Sequence, residues 1–349
     1  MTHLDDFGGL LDWSRLAGWI NDAGVPGSGP VVAVSRLPGG AQNLLFTIRR
    51  ADGTELVLRR PGKHVRADSA DGMLREMRVL TALADTAVPH PAIHASCPDT
   101  DVIGVPFSIL AKVEGFTPVG QLPGRYGENP GWRRDAALGL AAAAGQLALV
   151  DHVAVGLADL GRPDGWLDRQ VPRYQRMLEG YRSNAAYREA ESPHVDQVAA
   201  WLAANRPPSS RIGIVHGDLQ FANIMLAHDK PELAAIVDWE MASLGDPLLD
   251  LAWILTAWRE DGDPSGSEPY LQPWAGMPSR REMLAHYADI TGHQVDAFPW
   301  FFVLACFRLA ALLEGSYLRS LAGKLDPATG SDLHAYADWL WRKAAQEIR

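Results

Sequence analysis

Residues 211–227 read RIGIVHGDLQFANIMLA. Ile212, Ile214 and Val215 come before, and Ile224, Met225 and Leu226 after, so the pattern is two short buried strands joined by a polar loop. His216, Asp218 and Asn223 lie in that loop. A polar group that loses water costs free energy unless something binds it, so three of them between apolar runs call for partners. The loop has the form H-G-D-x-x-x-x-N, and fifteen residues beyond Asn223 a second carboxylate, Asp238, stands in IVDWE. Phosphoryl transfer uses this set. One carboxylate orients an attacking hydroxyl and accepts its proton, while an amide and a second carboxylate hold magnesium on the phosphates. The spacing allows it: Asp218 follows one strand, four further residues let Asn223 return as the next strand begins, and a strand ending at Asp238 brings its carboxylate alongside. Singly, an Asp after Gly is a common turn residue and an Asn before a strand a common cap. Three turn residues have no reason to fall into this order.

Outward from the loop, the chain changes character twice. LLDWSRLAGWINDAG (10–24) has helical spacing and runs into the breaker-rich VPGSGP (25–30), a helix and a linker. From 31 to 112 the pattern is of short strands, VVAVSRL, NLLFTIRR and ELVLRR, with ADGT (51–54) a hairpin turn. A helix over about 68–84 and strands near IHASC and PFSILAKV complete this part. Beyond Gly115 the periodicity is mostly helical, from WRRDAALGLAAAAGQLALVDH through PLLDLAWILTAWR to DLHAYADWLWRKAAQEI, with a strand at LAAIVDW. The expected fold class is α+β, with a leading helix and linker over 1–30, a small antiparallel-sheet lobe over 31–112, and a large helical lobe over 113–349.

Composition bounds the partners. Acidic residues outnumber basic ones 42 to 32 for a net charge of -10, which argues against nucleic acid or an anionic membrane as a general partner. Two cysteines, Cys97 and Cys306, fit neither a disulfide framework nor a zinc site, and point to a reducing compartment. The N-terminus MTHLDDFGGLLDW has no secretory pattern, and the runs LGLAAAAGQLALV and WFFVLACF fall short of the roughly 20 residues of a membrane span. A cytoplasmic protein is expected. Only five of the 32 basic residues are lysines, so few are available for catalysis.

These motifs carry a resemblance to a known family. LPGGAQNLLFTI, LVLRRP, LREMRVL, PFSILAKVEG, VHGDLQFANIML, IVDWEMASLGDPLLDLAW and FRLAALLEGSYLR together resemble the aminoglycoside phosphotransferase and choline kinase-like superfamily, whose fold is similar to that of protein kinases. The branch looks like the kinase domains fused to acyl-CoA dehydrogenases. The resemblance implies a bilobal protein-kinase-like fold, with Asp218 as catalytic base and Asn223 and Asp238 as magnesium ligands. It further implies that His216 supports the loop and that Asp250 braces it from behind. Asp246 reads as a cap for the helix at Asp250. In the small lobe the glycine-rich loop would be LPGGAQN, with Gly39 and Gly40 admitting the phosphates and Asn43 contacting them. Arg59 stands where protein kinases hold lysine, and a guanidinium grips phosphate oxygens in bidentate fashion. Period-two alternation turns Arg59 to the face of Val57 and Arg60 to the other. Glu76 falls with Leu80 and Leu83 on an apolar helix face, where a carboxylate needs a cation, and Arg59 is the natural partner. Alignment at PFSILAKVEG sets the adenine against backbone groups of Ala111 and Val113, with Leu110 behind.

The expected activity is ATP- or GTP-dependent, magnesium-dependent phosphorylation of a small-molecule hydroxyl. The branch favours a hydroxyacyl-CoA or related metabolite; the wider family offers an aminoglycoside or another cationic alcohol. A CoA ester wants arginines around the acceptor site, for which Arg173, Arg176, Arg308 and Arg319 are candidates. A polycation wants carboxylates, which the loop 259–274 supplies. Trp253, Trp258, Trp274 and Tyr317 could wall an apolar acceptor site, although helix-spaced aromatics more often fill cores. A non-catalytic nucleotide-binding protein is the alternative. A protein kinase is disfavoured, because DWEMASLGDP runs directly into a helix with no D-F-G and A-P-E pair.

Overall fold

Asp12 starts the first helix, α1 (Trp13–Asp22), its carboxylate accepting the backbone N–H groups of Ser14 and Arg15. The chain leaves α1 through Gly24 in the left-handed region, at φ 65°, and enters the sheet. The structure is a computed structural model and describes residues 6–37, 43–62, 67–185, 187, 192–266 and 270–348. By its internal contacts the chain forms two compact units. The first comprises Met1–Thr117, His152–Ala158 and Asn223–Ala242, and the second Pro118–Asp151, Asp159–Ala222 and Ser243–Arg349. The first unit thus runs past the boundary expected at 112 and gathers two later segments.

In the first unit, β1 (Val31–Arg36), β2 (Asn43–Arg50), β3 (Glu55–Pro61), β4 (Ile93–Cys97) and β5 (Phe107–Ala111) form one antiparallel sheet, in the order β1-β2-β3-β5-β4. Phe46 and Ile48 of β2, Leu56 and Leu58 of β3, and Phe107 and Ile109 of β5 bury one face together with Leu16 and Ile20 of α1. The leading helix is therefore part of this core. Arg50 is buried as well, and its guanidinium donates to the carbonyls of Gly29 and Val25 and to the Asn21 side chain, so the 21–29 linker satisfies its charge. The helix α2 (Ala67–Leu83) buries Met73, Met77, Leu80 and Leu83 and packs on β3 and β4.

In the second unit, β6 (Gly120–Gln121), α3 (Gly124–Glu128) and α4 (Pro130–Ala148) are followed by α5 (Trp166–Arg182) and α6 (His194–Ala204). The strand β7 (Gly213–Val215) comes next. The first unit then takes β8 (Ile224–Leu226) and β9 (Leu233–Ile236), an antiparallel pair. Back in the second unit, β10 (Ser243–Gly245) pairs antiparallel with β7, matching Gly245 with Gly213. Then follow α7 (Leu248–Thr256), the short β11 (Leu271–Gln272) parallel to β6, α8 (Arg280–Thr291), α9 (Phe298–Leu321) and α10 (Pro327–Glu347). By length and composition α9 is apolar enough to cross a membrane, which the shorter run WFFVLACF did not signal. It packs against α5, α7 and α10, and most of its residues from Phe298 to Ala311 are buried.

Candidate active site

The polar loop begins at the end of β7. His216 is fully buried, and its N–H donates to Asp250 Oδ2 at 2.7 Å, while the N–H of Gly217 donates to Asp250 Oδ1 at 3.0 Å. Asp250 stands in the first turn of α7, so one carboxylate satisfies two backbone donors that would otherwise lose water unpaired. Gly217 has φ 87°, a conformation side chains rarely adopt, which explains the glycine of the H-G-D motif. Burial pushes Asp250 up to about 7, opposed by its two N–H bonds and by the charge of Arg308, with Asp218 adding to the rise. Asp246 accepts the N–H groups of Leu248 and Arg211 and so caps α7 as its place before Pro247 suggests.

The N–H of Asp218 donates to Nδ1 of His216 at 3.3 Å. With Nδ1 used as an acceptor, the neutral ring carries its proton on Nε2. Asp218 itself is half-buried. Its Oδ1 accepts from the Gln220 side-chain amide at 2.8 Å and from the Trp253 indole N–H at 3.1 Å. Behind the indole lies Arg308, buried, its guanidinium 5.4 Å from the ring centroids of both Trp253 and Tyr174 and its Nε–H donating to the Tyr174 hydroxyl at 3.0 Å.

In the first unit, the carbonyl of Asn223, just before β8, accepts the Val237 N–H at 2.9 Å. Asp238 comes next, with φ 69° and ψ 63°, a left-handed geometry uncommon for a non-glycine residue and of the kind that gathers at functional sites. Its Oδ1 lies 2.7 Å from Nη2 of Arg59, and the same nitrogen lies 2.8 Å from Oε2 of Glu76. The alternation along β3 and the apolar spacing of α2 therefore deliver the expected pair. Arg60 points elsewhere, bonding the carbonyls of Pro61 and Leu10. Burial alone would lower the Arg59 guanidinium, but the charges of Glu76 and Asp238 hold it above its ordinary value. Burial raises Glu76, with Arg59 opposing. The Nε of Arg59 is buried and has no hydrogen-bond partner among the described residues.

The other nucleotide-site candidates fare differently. Asn43 is buried, and its Nδ2 donates to Oε2 of Glu240 at 2.8 Å, so its amide is held by a residue the sequence reading left without a role. The N–H of Ala111 donates to the Ala92 carbonyl at 2.8 Å and is thereby committed. Leu110 is buried and Val113 half-exposed. Gly39 and Gly40 lie outside the described residues. Among the described residues no group of three or more His, Cys, Asp or Glu side chains could cage a metal. The amide oxygen of Asn223 and the carboxylate of Asp238 are hard oxygen donors, which fit a magnesium ion that keeps waters and phosphate oxygens as its remaining ligands.

A cavity of about 530 Å³ in the second unit is lined by Gln220 and Trp253, the two side chains that bond Asp218, and by Phe221, Leu309, Tyr336 and Trp339 among others. Arg259 and Asp332 are its charged members. Of the four aromatics proposed from sequence, Trp253 lines it. Trp258 is fully buried with its N–H on the Pro278 carbonyl, and Tyr317 stacks on His334. Arg308 is buried against Trp253 and Tyr174 and is not among the residues that line the cavity.

The chain was compared with known proteins. A family model described as APH, phosphotransferase enzyme family, matches residues 33–284. Mouse acyl-CoA dehydrogenase family member 10 is 30% identical over 323 residues, covering 88% of this chain and 29% of the relative. The chain spans about a third of the length of the curated relatives it matches. A crystal structure from Ralstonia eutropha JMP134, of a protein provisionally termed an aminoglycoside phosphotransferase, is 26% identical with a TM-score of 0.79, covering 96% of this chain and 98% of that one. A ternary complex of the aminoglycoside phosphotransferase APH(4)-Ia with ADP and hygromycin B is alike in fold alone, at 17% identity and a TM-score of 0.59, covering 94% and 98%.

Proposed function

Since the chain belongs to the APH phosphotransferase enzyme family, we propose that it transfers the terminal phosphoryl group of ATP or GTP to a hydroxyl of a small molecule. The observation that carries this reading is the junction of Arg59, Glu76 and Asp238 beside Asn223, with one guanidinium nitrogen committed to two carboxylates and Nε without a partner among the described residues. That guanidinium is the phosphate grip, and Glu76 fixes its direction. Magnesium, when bound at Asn223 and Asp238, would neutralise charge on the phosphate oxygens. Asp218 accepts the proton of the attacking hydroxyl, held ready by a loop whose backbone donors are anchored on Asp250. His216 orients the loop and moves no proton.

The cavity beside Asp218 supports an acceptor with an apolar body. Its walls are mainly aromatic and aliphatic, and among the described residues Asp332 is its one carboxylate and Arg259 its one cation. A polycationic antibiotic would need several carboxylates there, so an acyl metabolite bearing a hydroxyl is the better match. The free, buried Cys97 and Cys306 suit a reducing cytoplasm, which we propose as the location.

A thermal-shift comparison of acyl-CoA esters with aminoglycosides, in the presence of a non-hydrolysable nucleotide, separates the acceptor classes. Stabilisation by the acyl esters is expected; stabilisation by the aminoglycosides alone would reverse the choice. Turnover separates the enzyme from a nucleotide-binding module: MgATP bound with no phosphate transferred to any hydroxyl compound would favour the module.

A further inference from the structure

We propose that Trp253 is the positioning residue of the base, setting the orientation of the Asp218 carboxylate while forming the wall of the acceptor cavity. This rests on the phosphotransferase reading above. Trp253 lies three residues after Asp250 on α7, so the two share a helix face. From that face Asp250 fixes the backbone at His216 and Gly217, and Trp253 reaches the side chain of the next residue, Asp218. The indole N–H and the Gln220 amide both donate to Oδ1, at 3.1 and 2.8 Å. Two donors on one oxygen restrain the carboxylate from rotating and so hold it in the orientation from which it takes the hydroxyl proton.

The indole is held in turn. Trp253 is buried, and the guanidinium of Arg308, itself bonded to Tyr174, lies 5.4 Å from its ring centroid. An indole N–H is a donor only, so Oδ1 meets it as an acceptor. Trp253 and Gln220 also line the 530 Å³ cavity, so an acceptor packed on the indole lies against the group that aims its base.

The test is Trp253→Phe, which keeps an aromatic wall and removes the N–H. The slow transfer from MgATP to water, read as ADP release, supplies an assay that needs no identified acceptor. The rate is expected to fall about tenfold or more, the scale of one hydrogen bond to a charged group, with KM for MgATP nearly unchanged. The acid limb of the pH–rate profile should move to higher pH, since the carboxylate loses a donor to its charged form. Trp300→Phe is the control. It removes another buried indole N–H bond, to the Leu202 carbonyl, and should cost stability without moving the pH profile. Separately, of the 12 indole N–H signals in an NMR spectrum, the one missing in Trp253→Phe should shift in Asp218→Asn.

Wild-type rate and pH profile in Trp253→Phe, or an indole signal indifferent to Asp218→Asn, would overturn the proposal. Failure of the wild type to transfer phosphate to water or to any alcohol would instead overturn the functional reading, and with it any catalytic part for Trp253.

Discussion

On the proposed reading Asp218, as the base, and Asn223 and Asp238, as magnesium ligands, have separable duties, and substitutions should part them. Asp218→Ala should lower turnover by roughly a hundredfold or more with little change in ATP affinity, the usual cost of a positioned base. Asp238→Ala should abolish magnesium-dependent nucleotide binding, measurable by calorimetry with and without the metal. It also removes one of the two carboxylates that pair with Arg59 among the described residues, leaving Glu76. Arg59→Ala should weaken nucleotide binding and turnover, and unchanged values would remove the phosphate grip. These residues were legible because their spacing is local: four residues separate Asp218 from Asn223, and alternation along one strand and periodicity along one helix oriented Arg59 and Glu76. The Trp253 and Gln220 bonds to Asp218 were not legible in the same way. Trp253 lies 35 residues from Asp218, and its aim depends on how α7 and α9 pack, which no short motif encodes. Its spacing of three from Asp250 was the available signal. Glu240 was hidden for a like reason, since its partner Asn43 is 197 residues away.

At the scale of elements, two arrangements carry predictions. The β7–β10 ladder pairs Gly213 with Gly245, and a Cβ on Gly245 would come 2.7 Å from the Trp166 indole nitrogen, while one on Gly213 would come 2.7 Å from Pro247. Both glycines permit close packing beside the loop that bears His216 and Asp218. Gly245→Ala should destabilise by about 1–3 kcal/mol, the usual cost of overpacking, read from denaturant unfolding. The second arrangement ties α9 to α10. Glu314 is fully buried, accepting from the Tyr187 hydroxyl at 2.6 Å, with its other oxygen 2.7 Å from Nδ1 of His334. This hydrogen bond raises the His334 pKa above its ordinary value, with burial opposing. A histidine raised on folding stabilises the folded state fully below its unfolded pKa, near 6.5, and that stability is lost as pH rises through the higher folded value. The stability advantage of the wild type over His334→Gln should therefore be largest in mildly acidic buffer and shrink as pH rises above neutrality. An advantage that grows with pH would contradict the ion pair.

For the whole molecule, the sequence carried the α+β class and the kinase-like architecture, because strand alternation and helical periodicity change at clear breakers. The division into units was less legible. Residues 152–158 and 223–242 join the first unit through contacts distant in sequence, and no local pattern announces that. The run WFFVLACF understated α9, since apolar spacing continues past Arg308 to Leu321. A net charge of -10 sits with a cavity whose charged members among the described residues are Arg259 and Asp332; on the proposed reading, selection of the acceptor falls to shape and apolar contact more than to field. The most direct test of the phosphotransferase reading is phosphorus NMR of the protein with ATP, magnesium and a library of hydroxyl compounds that spans acyl esters and aminoglycosides. A new phosphate-ester resonance that needs magnesium and is absent with Asp218→Ala is expected. ATP bound by the folded protein, with no ester formed from any member of the library, would contradict it.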